Sequence, residues 1–189
     1  MRITGGIARG ILLKSCPRQE LRPATDRMRE AVFSRLGSSI QGAHFLDLFA
    51  GTGAYGLEAL SRGAASGVFI EQNRRTVATL RTNLGALTKA LGQRTLPCRI
   101  VTADILNWKP TGTETFDFIF VDPPYNMIGQ NIQLLFGLFE HCLAPNPHAR
   151  VIFEMPSELE PSLEYWKAEQ RLGSKRRHSP SVTIFQPKK

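Results

Sequence analysis

Four consecutive residues, Asp122-Pro123-Pro124-Tyr125, carry the groups with the clearest chemical potential in this sequence. The Asp122 carboxylate and the Pro123 carbonyl are two hydrogen-bond acceptors, and Tyr125 adds an aromatic face. Two acceptors can take both N–H groups of an exocyclic amine while the ring stacks on the flat base that bears it. The tetrapeptide therefore predicts a site for an amino-bearing nucleobase. A helix-capping Asp followed by turn prolines is the alternative interpretation.

The residues before this tetrapeptide place it at the edge of a sheet. Residues 118–121 are all apolar, a pattern typical of a short strand buried on both faces, as in a parallel sheet. The strand must stop at Asp122, because Pro123 and Pro124 have no N–H group and a fixed φ. In open α/β sheets, ligands bind at the carboxyl ends of the strands, so we expect Asp122 to face a ligand site.

A second candidate site is the glycine-rich turn that follows another apolar strand. Gly51, Gly53 and Gly56 have the spacing G-x-G-x-x-G, and Glu71 closes the next apolar strand about 20 residues later. Glycines let the backbone approach a ligand, and a carboxylate at that strand end can bind ribose hydroxyls. The candidate cofactor residues here are Asp47, Phe49, Gly51, Gly53 and Glu71.

Asp47 distinguishes between two classes of cofactor. In dinucleotide sites the helix N-terminus after the glycines binds a pyrophosphate. Asp47 stands four residues before Gly51, where it would be an unfavourable neighbour for that anion. A carboxylate there suits a ligand with ammonium and sulfonium groups and no phosphate, so we expect S-adenosylmethionine. The alternative is a buried carboxylate that caps the turn.

Strands and helices alternate along the rest of the chain. A third strand over residues 98–102 leads to Asp104 and a short helical piece at residues 105–108, and a fifth strand covers residues 150–154. Asp104 is expected either to accept from an adenine amino group or to act as an N-cap. Acidic groups thus stand at four strand ends: Asp47, Glu71, Asp104 and Asp122. The alternation is typical of an α/β, Rossmann-like doubly wound sheet.

Length and composition indicate a single domain. The chain has 189 residues, of which 42% are hydrophobic and 21% charged, enough for one sizeable core but not for a second full domain. We assign residues 23–189 to this core, with residues 165–171 and 181–185 as two antiparallel strands at its end. Residues 1–22 are expected to form a small basic hairpin outside it.

The formal net charge of +8 favours a polyanionic partner, above all nucleic acid. A helix is expected from residue 25 or 26 to Leu36, ended by Gly37, and its two arginines should lie off the apolar stripe. The candidate phosphate contacts are Arg2, Arg9, Arg22, Arg27 and Arg29. The alternative is a solvated arm that binds nothing.

Several other classes of protein do not fit the sequence. No apolar run approaches the roughly 18 residues of a membrane helix, and there is no signal-peptide core, so we expect a cytoplasmic protein. Cys16, Cys98 and Cys142 are odd in number and far apart, which argues against a disulfide framework and a zinc site. The histidines show no metal-ligand spacing either.

Five stretches together resemble the RsmD family of class I S-adenosylmethionine-dependent methyltransferases. Their order and spacing make the set specific: residues 2–6 with 8–10, 21–30, 45–53, 56–64 and 121–125. Two positions depart from the family pattern. Ile11, in the basic segment of residues 1–22, is expected to affect RNA contact. Tyr55, after the glycine turn, is expected to affect the shape of the cofactor pocket.

The resemblance implies a seven-stranded sheet whose last strand is antiparallel. It also implies methylation of N2 of a guanine in 16S ribosomal RNA, in small-subunit particles or assembly intermediates. Asp122, Pro123, Pro124 and Tyr125 would then orient the guanine, and we expect a monomer. An adenine-N6 methyltransferase of DNA or RNA is the first alternative. A non-catalytic RNA-binding or nicotinamide-binding module is the second, which Asp47 and Asp122 disfavour.

Overall fold

The computed structural model describes residues 1–15, 26–110, 113–174 and 176–188. Its elements in chain order are α1 (Asp26–Leu36), β1 (His44–Leu48), α2 (Ala54–Ser61), β2 (Ser66–Glu71), α3 (Arg74–Ala90), β3 (Cys98–Thr102), β4 (Phe118–Val121), α4 (Tyr125–Cys142), β5 (Arg150–Pro156), β6 (Trp166–Gly173) and β7 (Pro180–Pro187). A 3₁₀ turn, Gly37–Ile40, follows α1.

These strands form one seven-stranded sheet in the order β3-β2-β1-β4-β5-β7-β6. The first five strands of the chain are parallel to one another. Strand β7 lies between β5 and β6 and is antiparallel to both. The strand order reverses between β1 and β4, and this reversal opens a crevice at the carboxyl ends of the two strands. The predicted doubly wound fold with an antiparallel last strand is confirmed.

Helices cover both faces of the sheet. Residues of α1, α2 and α3 pack on one face, against the rings of Phe45, Phe69 and Phe120. Helix α4 packs on the other face, where Val121 and Phe153 are buried. All four residues of β4 are buried, as its uninterrupted apolar sequence requires for a central strand of a parallel sheet.

Local signals in the sequence set the ends of the helices. Helix α1 ends at Leu36, and Gly37 follows with φ 58°, a left-handed conformation that favours glycine. The Oδ1 of Asn73 caps α3 by accepting the N–H groups of Arg75 and Thr76 at 2.9 and 3.2 Å. The helical piece predicted at residues 105–108 is wrong, because this segment forms only a turn.

The N-terminal arm, residues 1–15, folds back on itself without forming regular strands. A single antiparallel bridge joins Arg2 and Leu12. The prediction that the arm lies outside the core is wrong, because three of its apolar side chains are buried in the cluster that α1 and α2 share: Ile3, Ala8 and Leu13. The arm is therefore packed onto the domain.

In the described part of the chain, no helix has the length and apolar character needed to cross a membrane. The longest helix, α4, has 18 residues and is amphipathic. It buries Ile128, Leu135 and Phe139, while Leu134 is half exposed.

Candidate active site

The crevice at the carboxyl ends of β1, β2 and β4 brings together five of the predicted site residues: Phe49, Gly51, Glu71, Asp122 and Pro124. Its empty volume, including the open mouth, is about 460 Å³. Its walls consist of Phe49, Gly51, Ile70, Glu71, Gln72, Ala103, Ile105, Asp122 and Pro124. A concave, mostly apolar crevice with a few fixed polar groups is typical of small-molecule sites. The chemistry of these walls suits a nucleoside.

Glu71 enters the crevice at the end of β2 as a fixed carboxylate. The N–H of Gly51 donates to its Oε2 at 3.0 Å, and the N–H of Asn73 donates to its Oε1 at 2.7 Å. Each oxygen keeps a further lone pair, so the carboxylate can still accept from two neighbouring hydroxyl groups. Such an acceptor fits the ribose of a nucleoside.

The glycine turn owes its shape to residues with positive φ. Phe49 has φ 58° and Gly51 has φ 55°. A non-glycine residue in this region costs on the order of 1–3 kcal/mol, and such strain is concentrated at functional sites. Gly53 does not line the crevice but faces α3, since a Cβ built on it would lie 2.3 Å from Cδ1 of Leu80. Gly53 thus allows the turn to pack closely on the domain.

Asp47 lies beneath the turn and not in the crevice wall. Its side chain is buried, and the N–H of Gly56, in the first turn of α2, donates to its Oδ2 at 2.9 Å. Burial raises the pKa of Asp47 well above its ordinary value, an effect that the Gly56 hydrogen bond opposes. These contacts are those of the turn-capping alternative. Asp47 would therefore affect a bound ligand only indirectly, by holding the glycine turn in its conformation.

Asp104 likewise supports the crevice from behind. Its Oδ1 accepts the N–H of Leu106 at 3.1 Å, and its Oδ2 accepts from Nδ2 of Asn107 at 2.8 Å. The residues on either side of it, Ala103 and Ile105, form the wall. Asp104 therefore shapes the turn after β3.

The tetrapeptide after β4 closes the other side of the crevice. Strand β4 ends at Val121, and the partly buried Asp122 faces the cavity together with Pro124. Burial raises the pKa of Asp122 to about 7. Tyr125 begins α4 and packs, partly buried, against the apolar cluster of that face.

Comparison with known proteins agrees with this architecture. The profile of the family described as Conserved hypothetical protein 95 matches residues 1–182. A relative from Escherichia coli K12 named "Ribosomal RNA small subunit methyltransferase D" is 38% identical over 137 residues, which cover 71% of this chain and 66% of the relative. The chain belongs to the RsmD family.

Further RsmD-family relatives and solved structures give the same result. The Buchnera aphidicola relative of the same name, from the Acyrthosiphon pisum symbiont, is 36% identical over 70% of this chain and 68% of its own. The solved structure of Escherichia coli yhhF has a TM-score of 0.79 and 31% identity, and the match covers 99% of this chain and 97% of yhhF. A hypothetical protein from Thermus thermophilus has a TM-score of 0.74 and 30% identity over 97% of this chain and 98% of its own.

The predicted phosphate contacts of this RsmD-family chain need one correction. Arg29 was expected off the apolar stripe, but its side chain is fully buried between α1 and α2, where its Nε lies 3.3 Å from Oε2 of Glu58. It therefore cannot reach an RNA phosphate. Arg2, Arg9 and Arg27 are exposed, whereas Arg22 lies outside the described residues.

Sequence reasoning missed Glu154, which lies next to the crevice, and misplaced Tyr55. Glu154 follows the apolar residues of β5, and this position after an apolar strand is the signal that drew attention to Asp122. Tyr55 was expected to shape the cofactor pocket, but it is not among the wall residues and is buried in the core.

Proposed function

We propose that this protein transfers a methyl group from S-adenosylmethionine to the exocyclic N2 of a guanine in 16S ribosomal RNA. The observation that carries the proposal is the position of Asp122, which faces the same crevice as the glycine turn and Glu71. One crevice thereby contains both the residues that can bind a nucleoside and a hydrogen-bond acceptor for an exocyclic amine. The names of the relatives, which specify small-subunit ribosomal RNA, support the choice of substrate.

The crevice residues fit S-adenosylmethionine. The Glu71 carboxylate, oriented by Gly51 and Asn73, would accept from the two ribose hydroxyls. The side chains of Phe49 and Ile105 provide apolar walls for a purine. When bound, S-adenosylmethionine supplies an electrophilic methyl group.

Asp122 has two tasks in this reaction. An exocyclic amine conjugated to a purine is a weak nucleophile, so it must be aimed, and positioning can supply about 7–11 kcal/mol of the barrier in ideal cases. Asp122 and the Pro123 carbonyl would each accept one N–H, while the Tyr125 ring stacks on the base. The nitrogen becomes positive as it bonds to the methyl carbon, and the Asp122 carboxylate stabilises that charge until one proton leaves.

The exposed arginines of the arm and of α1 provide the surface for RNA. Arg2, Arg9 and Arg27 are exposed, and Arg22 belongs to the chain segment that joins the arm to α1. Their charge would hold the RNA backbone by contacts with phosphates. We assign the activity to a cytoplasmic monomer that acts on small-subunit particles or assembly intermediates, where the target guanine can be extruded into the crevice.

The direct test is methyl transfer to small-subunit particles that lack the modification. Purified protein is incubated with these particles and with S-adenosylmethionine labelled in the methyl group. We expect the label in 16S RNA. The Glu71→Ala variant is the control, because it should lose cofactor binding while its RNA surface is intact. Label in ribosomal protein, or none in RNA, would contradict the proposal.

A further inference from the structure

Behind Asp122 lies a buried pair of side chains that the proposed function does not use. The hydroxyl of Tyr55, on α2, donates to Oε2 of Glu154, on β5, at 3.3 Å. Both side chains are almost completely buried, with 4% and 2% exposure. Strands β4 and β5 are parallel and pair Val121 with Phe153; Asp122 is the first residue after β4, and Glu154 is the next residue of β5. Adjacent strands lie about 4.8 Å apart.

The Tyr55 ring is held in place from two sides. It stacks on the ring of Phe120, with centroids 5.4 Å apart and planes inclined by 16°. On another side it packs against the ring of Phe33, on α1, and the two ring centroids lie 6.4 Å apart. Because Phe120 precedes Asp122 by only two residues, this packing ties the position of Glu154 to the end of β4.

Acidic groups surround this pair on several elements. Asp122, directly after β4, interacts electrostatically with Glu154, and Asp47 on β1 interacts with both Asp122 and Glu71 of β2. Arg29, on α1, is the positive charge that interacts electrostatically with Tyr55. In the described residues, no group of three or more metal-ligating side chains is arranged to hold a cation.

The order in which the two carboxyls ionise follows from their surroundings. Burial raises the pKa of Glu154 to about 9; the ionised Asp122 adds to this rise, and the Tyr55 hydrogen bond opposes it. The pKa of Asp122 rises less, to about 7. Between about pH 7 and pH 9 the pair therefore carries one negative charge, and Asp122 is the group that ionises first.

We propose that Glu154, fixed by Tyr55, is a positioning residue for Asp122: it holds the carboxylate from the buried side and leaves the oxygens of Asp122 free for the amine of the base. The proposal rests on the proposed function, since it assigns Glu154 a role through Asp122. A neutral acid next to Asp122 keeps the charge on the group that faces the crevice. A second charge on Glu154 would repel the Asp122 carboxylate and displace it.

Three variants test this role: Glu154→Gln, Glu154→Leu and Tyr55→Phe. Glutamine keeps the size and the neutral state of the acid but cannot ionise. Leucine removes every polar contact at similar size, and phenylalanine removes only the hydroxyl that fixes Glu154. Single-turnover transfer to small-subunit particles is measured from pH 6 to pH 10. The thermal unfolding midpoint is measured over the same range and down to pH 4.

We expect Glu154→Leu to slow transfer by up to about 100-fold at neutral pH, since a 1 Å misplacement can cost this much. Glu154→Gln should slow it by less than about tenfold, and Tyr55→Phe should lie between the two. The rate of Glu154→Gln relative to wild type should rise as the pH passes about 9, where wild-type Glu154 ionises. The titration of the substrate is common to both proteins and cancels in this ratio.

The stability measurement reports on Glu154 without any substrate. Its pKa is raised in the folded state, so the folded protein binds the proton more tightly than the unfolded chain does. The stability that this group contributes is present at low pH and declines as the pH rises from about 4.5 to about 9. The unfolding midpoint of wild type should fall over this range relative to that of Glu154→Gln.

Two results would overturn the proposal. One is a Glu154→Gln to wild-type rate ratio that does not change with pH, together with a wild-type rate for Glu154→Leu. The other is a Glu154→Gln rate as low as that of Asp122→Ala, which would show that an ionised Glu154 is required. Failure of the proposed function is recognised separately, because wild type itself would then transfer no methyl group to guanine. Even in that case, the pH dependence of the unfolding midpoint of wild type relative to Glu154→Gln tests whether Glu154 is protonated at neutral pH.

Discussion

The Nε of Arg29 lies 3.3 Å from Oε2 of Glu58, and both side chains are completely buried. The same carboxylate accepts the backbone N–H of Thr4 at 2.8 Å and its hydroxyl at 2.7 Å. Arg62 adds a third partner, with its Nε 2.8 Å from Oε1. Glu58 therefore joins α1, α2 and the N-terminal arm through one buried charge, and the arm's orientation depends on it.

Replacing Glu58 by alanine should destabilise the domain by about 3–5 kcal/mol, because it removes the buried carboxylate that Arg29, Arg62 and Thr4 share. Urea unfolding measures this change. The control is Glu114→Ala, which breaks a surface ion pair with Arg99 and should cost no more than about 1 kcal/mol. Equal costs for the two variants would show that the Glu58 network does not hold the arm.

The helical glycines Gly56 and Gly85 should respond in opposite directions to alanine. A Cβ at Gly56 would lie 2.3 Å from Cε1 of Phe69 and 2.6 Å from Cε2 of Phe45. At Gly85 nothing lies within 4 Å, so alanine should stabilise α3 by about 0.5–1 kcal/mol. Gly56→Ala must displace a packed ring and should cost about 1–3 kcal/mol. If both substitutions changed the free energy of unfolding in the same direction, this would contradict the packing described for α2.

Most of the fold could be predicted because local patterns and global structure agree in this chain. The apolar run in β4 and the proline pair after it indicated a central strand and its end. The N-terminal arm was misplaced for a different reason. Its apolar residues Ile3, Ala8 and Leu13 lie five positions apart, a spacing that matches neither the helical period nor the strand period, so only the packed structure shows that they are buried together.

The candidate site was predictable at the level of strand ends but not of side-chain partners. Glu71 and Asp122 meet in the crevice, as their positions at the carboxyl ends of two parallel strands indicated; β1 lies between these strands. Asp47 stands at an equivalent position, yet its carboxylate is taken up by the N–H of Gly56. Arg29 was misjudged similarly, since its partner Glu58 lies on another helix. Sequence position fixes where a group lies, whereas its partners depend on tertiary packing.

Glu71→Gln should weaken the binding of S-adenosylhomocysteine. The amide has about the same shape, but it loses the charge and turns an NH₂ group toward donors, so each ribose bond that is lost should cost about 1.5–3 kcal/mol. Isothermal titration calorimetry measures the effect, with Glu114→Gln as a control on the surface. Tighter binding of NADH than of S-adenosylhomocysteine by wild type would contradict the assignment of the cofactor.

Arg9→Gln should reduce the salt dependence of RNA binding. Each phosphate contact on single-stranded RNA contributes about −0.7 to the slope of log K against log salt concentration, so the slope should become less steep by about that amount. Arg99→Gln is the control, because Arg99 lies on the edge strand β3 and pairs with Glu114. A slope unchanged by Arg9→Gln would mean that the arm is solvated and that RNA binds elsewhere.

The most direct measurement of the central claim is the identity of the methylated nucleoside. Small-subunit particles that lack the modification are treated with wild type or with Asp122→Ala, and their 16S RNA is digested and analysed by mass spectrometry. We predict N2-methylguanosine with wild type and a transfer rate on the order of 10²–10³-fold lower with Asp122→Ala. N6-methyladenosine as the wild-type product would contradict the choice of guanine, and a wild-type rate for Asp122→Ala would contradict the role of Asp122.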